Sequence, residues 1–362
     1  MRIGFFSPTI NRVGGGEWVT LNMIHSLNAT KHEVAIYSAE RIDPAHIRSF
    51  FGNSIKLSQE VNFRPNVFDP FGLENIYPNL LKSFLLSLRC DLLIDTFSND
   101  LHPWTDAVYF QGPPRIFRPC KGIRRLILLP YQTMSQGTLR HRVGQKKILM
   151  ANSKWSAKTV EYFTKSPVNV LYPPVSDYFK IKVVASDRRN NRAATVIRIA
   201  EDKRPETILH IARMVAAGIE FVVVGSCKTE REMNVLCRLR EAIENLGLGG
   251  KVKVLLNVSR EKQKEILQTS KVYLHPFVQY ESFGVSAVEA MAAGCIPVVP
   301  NIGGLKEIVP KNLRYTSVEE AASLVEASID KWSPRAANEY ADSTSRFSQT
   351  KFEAEFMRIM KL

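Results

Sequence analysis

Apolar residues occur along this chain largely in runs of four or five, bounded by polar or glycine-rich sequence and followed by apolar positions three or four apart. The runs read as buried strands and the spaced positions as helices. Arg2-Ile3-Gly4-Phe5-Phe6-Ser7 opens the chain as a strand, Gly14-Gly15-Gly16 forms a loop, and Trp18, Leu21, Ile24 and Leu27 mark the helix after it. Further strands are expected over 33–37, 91–95 and 107–110, with helical segments between them. Such alternation predicts an α/β fold in which a parallel sheet is covered on both faces.

The pair Pro173-Pro174 stops regular structure, and a polar, basic stretch from Ser186 to Arg192 leads into a fresh strand at 194–197. The same logic then repeats. Helices are expected over 205–217, 230–246, 260–269 and 285–293, and strands over 220–224, 252–256, 272–274 and 296–299. Two Rossmann-like domains, 1–175 and 176–335, are predicted to face each other across a cleft. Residues 336–362 close the chain, with Phe352, Phe356, Ile359 and Met360 on one side of an amphipathic helix.

A length of 362 residues with 45% hydrophobic and 23% charged side chains excludes disorder, collagen and coiled coil. The opening residues lack a secretory h-region, and no stretch reaches the roughly 18 apolar residues of a membrane span. The five cysteines are scattered without a Cys-x-x-Cys pair, which predicts a reduced, cytoplasmic protein with no metal site. Lysine and arginine number 49 against 35 acids, a net charge of +14 that favours anionic partners. Twelve of those cations lie between Arg115 and Lys165, opposed only by Glu161. This run fits a solvated face or, flanked by Phe117, Ile123 and Leu126–Leu129, an anionic membrane surface on the cytoplasmic side. No interleaved aromatics or nucleic-acid motif accompanies it, so no nucleic-acid partner is expected.

The densest chemical signal is the segment from Pro276 to Val299. It follows a strand, and Phe283-Gly284 opens a helix, so backbone N–H groups and the positive helix end would face an anion at the strand's carboxyl edge. Glu281, Ser282, Phe283, Gly284 and Val285 form the approach; Glu281 would accept hydrogen bonds from hydroxyls, and Glu289, two turns on, would reach a ribose. Arg198 and Lys203 share one strand-to-helix loop, a fork and a point charge of the kind a diphosphate leaving group requires. Of the seven histidines, which share no spacing and read as structural, only His275 adjoins this segment.

These residues resemble the retaining, nucleotide-sugar-dependent glycosyltransferases of family 4, which have the two-domain GT-B fold. The resemblance rests on Glu281 to Glu289, the family's Glu-x7-Glu element, on the run Glu289 to Val299, and on Gly303-Gly304. Arg198 and Lys203 fall where the family binds the donor diphosphate. Gly14-Gly15-Gly16-Glu17 looks like its N-terminal glycine loop, which brings Gly15 and Gly16 to the donor; Ala151-Asn152-Ser153 and Tyr172-Pro173-Pro174-Val175 are similar to its interdomain approach. The resemblance is strongest to mannosyltransferases that extend lipid-linked oligosaccharides. Where many members carry a histidine near the transferred sugar, this chain has Gln111, which hydrogen-bonds but carries no proton.

The resemblance implies an acceptor-binding domain at 1–175, a nucleotide-sugar-binding domain at 176–335, and a helix in 336–362 that returns to the first domain. It also implies a hexosyl transfer, mannose favoured, from a GDP- or UDP-sugar to a glycan or lipid-linked acceptor. Configuration is retained without a protein nucleophile, and the departing phosphate takes the acceptor's proton. Arg198, Lys203 and Glu281 are then the catalytic set, Gln111 lies on the acceptor side, and the cations stand in for a metal, so no cofactor is required. Rival readings are a nucleotide-sugar epimerase, a noncatalytic nucleic-acid binder, and a nicotinamide-dependent oxidoreductase, for which Gly-x-Gly-x-x-Gly is missing.

Overall fold

In the computed structural model of the chain, residues 1–12, 14–52, 55–62, 76–114, 122–140, 147–184 and 188–362 are described. They divide into two units, Met1–Pro174 with Gln349–Leu362, and Val175–Ser348.

The first unit is built on seven strands, β1 (Arg2–Phe6), β2 (Glu33–Tyr37), β3 (Gln59–Val61), β4 (Leu92–Asp95), β5 (Ala107–Phe110), β6 (Ile148–Ala151) and β7 (Asn169–Val170). Its helices are α1 (Gly15–Ser26), α2 (Pro44–Phe51), α3 (Ile76–Ser87), α4 (Ile123–Arg140) and α5 (Lys154–Thr164). All strand pairs are parallel, in the order β3-β2-β1-β4-β5-β6-β7. The order reverses between β1 and β4, the switch point at which doubly wound sheets open a crevice beyond their carboxyl ends.

The second unit repeats that order with β8 (Asn190–Arg198), β9 (Glu220–Ser226), β10 (Val252–Leu256), β11 (Ser270–Leu274), β12 (Ile296–Pro300) and β13 (Arg314–Tyr315), arranged β10-β9-β8-β11-β12-β13. Its helices are α6 (Glu206–Met214), α7 (Glu230–Asn245), α8 (Arg260–Thr269), α9 (Val285–Ala292), α10 (Leu305–Ile308), α11 (Val318–Lys331) and α12 (Pro334–Ser343). The switch point lies between β8 and β11. Val223, Val272, Leu274 and Val298 of the strands pack with Ile208, Leu236 and Val325 of the helices in one core.

Several sequence expectations are corrected. Residues 336–348 do not travel with the closing segment: Ala337 and Ala341 of α12 are buried, and Asn338 exchanges hydrogen bonds with the backbone of Val183 at 2.9 and 2.8 Å, which keeps α12 in the second unit. Only α13 (Gln349–Met360) joins the first, with Phe352, Phe356, Ile359 and Met360 in the same core as Trp18, Ile24 and Phe51. The stretch read as a polar linker is partly structural. Arg189 is buried and donates to the carbonyls of Leu267, Ser270 and Ala293 at the ends of α8 and α9, and β8 begins at Asn190 rather than at 194. Gly15 and Gly16 are the first turn of α1, not a loop; Glu17 folds back onto the Gly14 amide at 2.9 Å, the one half of a capping box that a glycine N-cap allows.

Phe356 is fully buried, so Phe356→Ala should cost about 3–5 kcal/mol. A urea titration followed by the fluorescence of Trp18, Trp104 and Trp155, all in the first unit, checks this by the shift in midpoint.

Candidate functional site

In the second unit, β8 and β11 run side by side and end at Arg198 and Leu274, so the residues just beyond them meet at the switch point. After β8 the chain makes a short 3₁₀ turn, Glu201–Lys203, and Arg204 takes φ 44° to redirect it into α6. That turn carries Lys203 to Glu281: the Lys203 Nζ donates to Glu281 Oε2 at 2.7 Å. His275, the first residue after β11, is buried and places Nε2 3.5 Å from the same oxygen. Its other ring nitrogen, Nδ1, lies 2.9 Å from the Pro276 carbonyl, its amide donates to Val298 O at 2.9 Å, and its carbonyl accepts the Tyr315 hydroxyl at 2.6 Å.

Burial drives the Glu281 pKa upward, but the His275 contact and the positive charges of Lys203 and His275 outweigh it and hold the carboxyl well below its usual range. Glu281 is therefore ionised and held between two basic side chains. Arg198 is differently placed. Its side chain is 53% exposed, pairs with Asp202 at 3.1 Å and lies 3.8 Å from Glu232. Solvent-exposed pairs of this sort contribute little, so an anion of higher charge could displace Asp202.

The backbone of Glu281 and Ser282 is set by two glycines from a distant stretch. Gly304 donates its amide to Glu281 O at 2.9 Å, and Gly303 sits at φ 50°. A Cβ on Gly303 would overlap the Glu281 carbonyl, and one on Gly304 would overlap that of Ser282. Gly284, at φ 100°, caps α9 and lets Val285 start the helix, whose first-turn amides point toward the loop. Ser286 shares a hydrogen bond with the buried Tyr273 at 2.8 Å. Phe283, expected among the donor contacts, turns its ring into the core against Phe347, 5.2 Å between centroids; it offers a ligand its backbone alone.

Glu289 lies on α9, half-buried, with Gln263 Nε2 3.4 Å away. Burial raises its carboxyl to about 7 against the opposing pull of Arg260 and Gln263. Arg260 is itself spread over the rings of Phe179 and Tyr178, at 5.1 and 5.6 Å.

Gly15, Gly16 and Gln111 belong to the first unit: the two glycines open α1, the helix after β1, and Gln111 directly follows β5. Gln111 is fixed from several directions: its Nε2 donates to Thr96 O at 2.8 Å, its amide to Asn99 Oδ1 at 2.6 Å, and its carbonyl accepts from Asn152 at 3.0 Å. A Cβ on Gly16 would come within 2.5 Å of Gln111 Oε1, so glycine here admits the glutamine. Sequence reasoning favoured a structural role for His275 while setting it apart as the histidine beside the donor loop, and did not foresee Asn99. The signal available for His275 was its place directly after a strand and six residues before Glu281.

Residues 178–341 match the family model for glycosyl transferases group 1. The GDP-Man:Man(3)GlcNAc(2)-PP-Dol alpha-1,2-mannosyltransferase of Dictyostelium discoideum is 24% identical over 240 residues, 59% of this chain and 47% of that protein. The Caenorhabditis elegans protein of the same name is 24% identical over a 442-residue alignment covering 98% of this chain and 89% of that one. The chain spans about half the length of the first curated relatives it matches. Among solved structures, Anabaena HepE in complex with UDP and glucose is similar with a TM-score of 0.72 over 100% of this chain and 99% of that one, at 16% identity. Two parallel-sheet units of this kind are the GT-B architecture that the sequence led us to expect.

Two outcomes follow from the loop and from Glu289. Gly303→Ala should lower stability by at least about 2 kcal/mol, since both its φ and the Glu281 carbonyl exclude a side chain, and chemical denaturation reads the loss. Because the folded-state pKa of Glu289 is raised, its contribution is fully present below the unfolded value and is lost as pH rises toward about 7. Glu289→Gln should therefore gain stability over wild type between pH 4.5 and 7, levelling at about 2–3 kcal/mol, as followed by melting temperature across that range.

Proposed function

Since residues 178–341 match the family model for glycosyl transferases group 1, we propose that this chain transfers a hexose, mannose favoured, from a nucleoside-diphosphate sugar to a glycan or lipid-linked acceptor, with retention of configuration. The observation that carries the reading is the meeting of Lys203, Glu281 and the start of α9 at the β8–β11 switch point, with Arg198 at the end of the adjoining strand. Relatives named as GDP-mannose-dependent mannosyltransferases of a dolichol-linked oligosaccharide support the donor and the acceptor class. HepE, crystallised with UDP and glucose, supports a nucleoside-diphosphate ligand.

In this reading Arg198 exchanges Asp202 for the diphosphate, and Lys203 and the first-turn amides of Gly284–Ser286 meet the charge that develops as the sugar leaves. Glu281 accepts hydrogen bonds from sugar hydroxyls, and Glu289 from the ribose. Ser282 and Val285 line the donor loop through their backbone. Gly15 and Gly16 are assigned to the donor, and Gln111, already oriented by Thr96 and Asn99, to the acceptor side by position alone. The cations supply the positive charge that a metal would otherwise provide, so the reaction runs without a metal or cofactor.

Attachment to an anionic membrane surface belongs to the same proposal. No described helix is long and apolar enough to cross a membrane. However, α3 exposes Leu81 (57%), Leu88 just past its end is 67% exposed, α4 exposes Leu126 and Leu129 (70% and 52%) beside Arg125, and the Tyr77 hydroxyl ties α3 to the Ile127 carbonyl. Shallow insertion of these side chains, with Arg125 beside them, fits a peripheral enzyme on the cytoplasmic face. Of that run, Arg115, Arg118, Lys121, Arg142 and Lys146, with Phe117, lie outside the described residues, as do the side chains of Ile123, Arg124 and Arg140.

A thermal-shift panel of GDP, UDP, GDP-mannose, UDP-glucose and NAD tests the donor site. One nucleoside diphosphate at about 100 times its Kd should add roughly 2.7 kcal/mol of stability, and Arg198→Ala/Lys203→Ala should abolish that gain. Stabilisation by NAD alone, or by none of the five, would refute the reading.

A further inference from the structure

We propose that His275 is a positioning residue of the donor site: as an imidazolium it holds Glu281 in place and keeps it ionised while Lys203 leaves it for the donor's diphosphate. The inference rests on the reading of this site as a nucleotide-sugar site. It starts from a conflict between two roles. Lys203 is the cation assigned to the diphosphate, yet its ammonium is bound to Glu281 at 2.7 Å, and Glu281 is the group assigned to the sugar. If Lys203 turns to the phosphates, a half-buried carboxylate loses its short ion pair, and a buried charge without a partner is strongly unfavourable. The carboxylate would then take up a proton or swing away, and either change removes the acceptor that the sugar hydroxyls need.

His275 is built to prevent this. The Pro276 carbonyl only accepts hydrogen bonds, so Nδ1, 2.9 Å from it, carries a proton. The ring's remaining position, Nε2, faces Glu281 Oε2 at 3.5 Å. A neutral ring would turn a lone pair toward a carboxylate there; the doubly protonated ring turns an N–H. The imidazole has little freedom to do anything else, because its backbone is bonded on both sides, to Val298 O and to the Tyr315 hydroxyl, and it is 2% exposed. At 3.5 Å the contact is slack while Lys203 is present, and it is the one that shortens when Lys203 departs.

The titratable or charged groups around the ring are Glu281, Lys203, Tyr273, 6.3 Å away between centroids, and Tyr315. Burial pushes both tyrosine hydroxyls far upward, so neither ionises between pH 6 and 9.

Isothermal titration of GDP and UDP into wild type, His275→Gln, Glu281→Gln and the double variant at pH 6.5 decides the matter. Gln keeps a neutral donor near Nε2 but no charge. Without the imidazolium, Glu281 retains Lys203, so His275→Gln should weaken nucleotide binding by about tenfold or more. Glu281→Gln frees Lys203, and adding it to His275→Gln should restore binding to within about threefold of Glu281→Gln alone. A double variant as weak as His275→Gln would mean that His275 acts only by packing, and unchanged binding in His275→Gln would also overturn the proposal.

The same four proteins without ligand give a second cycle, in melting temperature. A coupling between positions 275 and 281 is expected at pH 6.5. If neither nucleotide binds wild type, the donor reading falls, and this cycle still judges His275: no coupling between the two positions removes the charge-holding role.

Discussion

The ion cluster of Lys203, Glu281 and His275 sets the terms for the whole second unit. A carboxylate this enclosed persists only while positive charge surrounds it, and each partner arrives from a different element. Lys203 comes from the turn after β8, His275 from the end of β11, and Glu281 from a loop braced by Gly303 and Gly304. The topology explains why these three meet: β8 and β11 are neighbours because the strand order reverses between them. The sheet thus brings residues about 75 positions apart in sequence to within hydrogen-bonding distance.

What could be read in advance follows from how local the signal is. Long periodic helices and short apolar runs announced α7 to α9 and β9 to β12 to within about two residues at each end, because burial on both faces of a parallel sheet writes itself directly into composition. The two-residue strand β13 and the edge strand β3 carry too few residues to show a pattern. Arg189 misled for another reason. A charged residue in a polar stretch reads as solvated, yet here its guanidinium satisfies helix-end carbonyls that only the folded chain brings together.

The candidate site was legible where residue type and chemistry coincide, as for Glu281, Arg198 and Lys203, and illegible where a role depends on who the neighbours are. Nothing in the sequence says that Lys203 and Glu281 bind each other, nor that the ring of Phe283 leaves the site for Phe347. Histidine is the extreme case: seven occur, and only contact shows that His275 lies between the Pro276 carbonyl and the Glu281 carboxylate.

The return of α13 to the first unit has a consequence for how the protein is made. Residues 175–348 must be synthesised before Gln349–Leu362 exist, a delay of about 10–35 s at 5–20 residues per second. Over that interval the surface of α1 that α13 covers, beside Trp18 and Ile24, has no partner from its own chain. A ribosome-bound nascent chain therefore carries an unfinished apolar face on an otherwise complete sheet, and its window of vulnerability to aggregation is fixed by the length of the inserted unit rather than by how fast either core collapses.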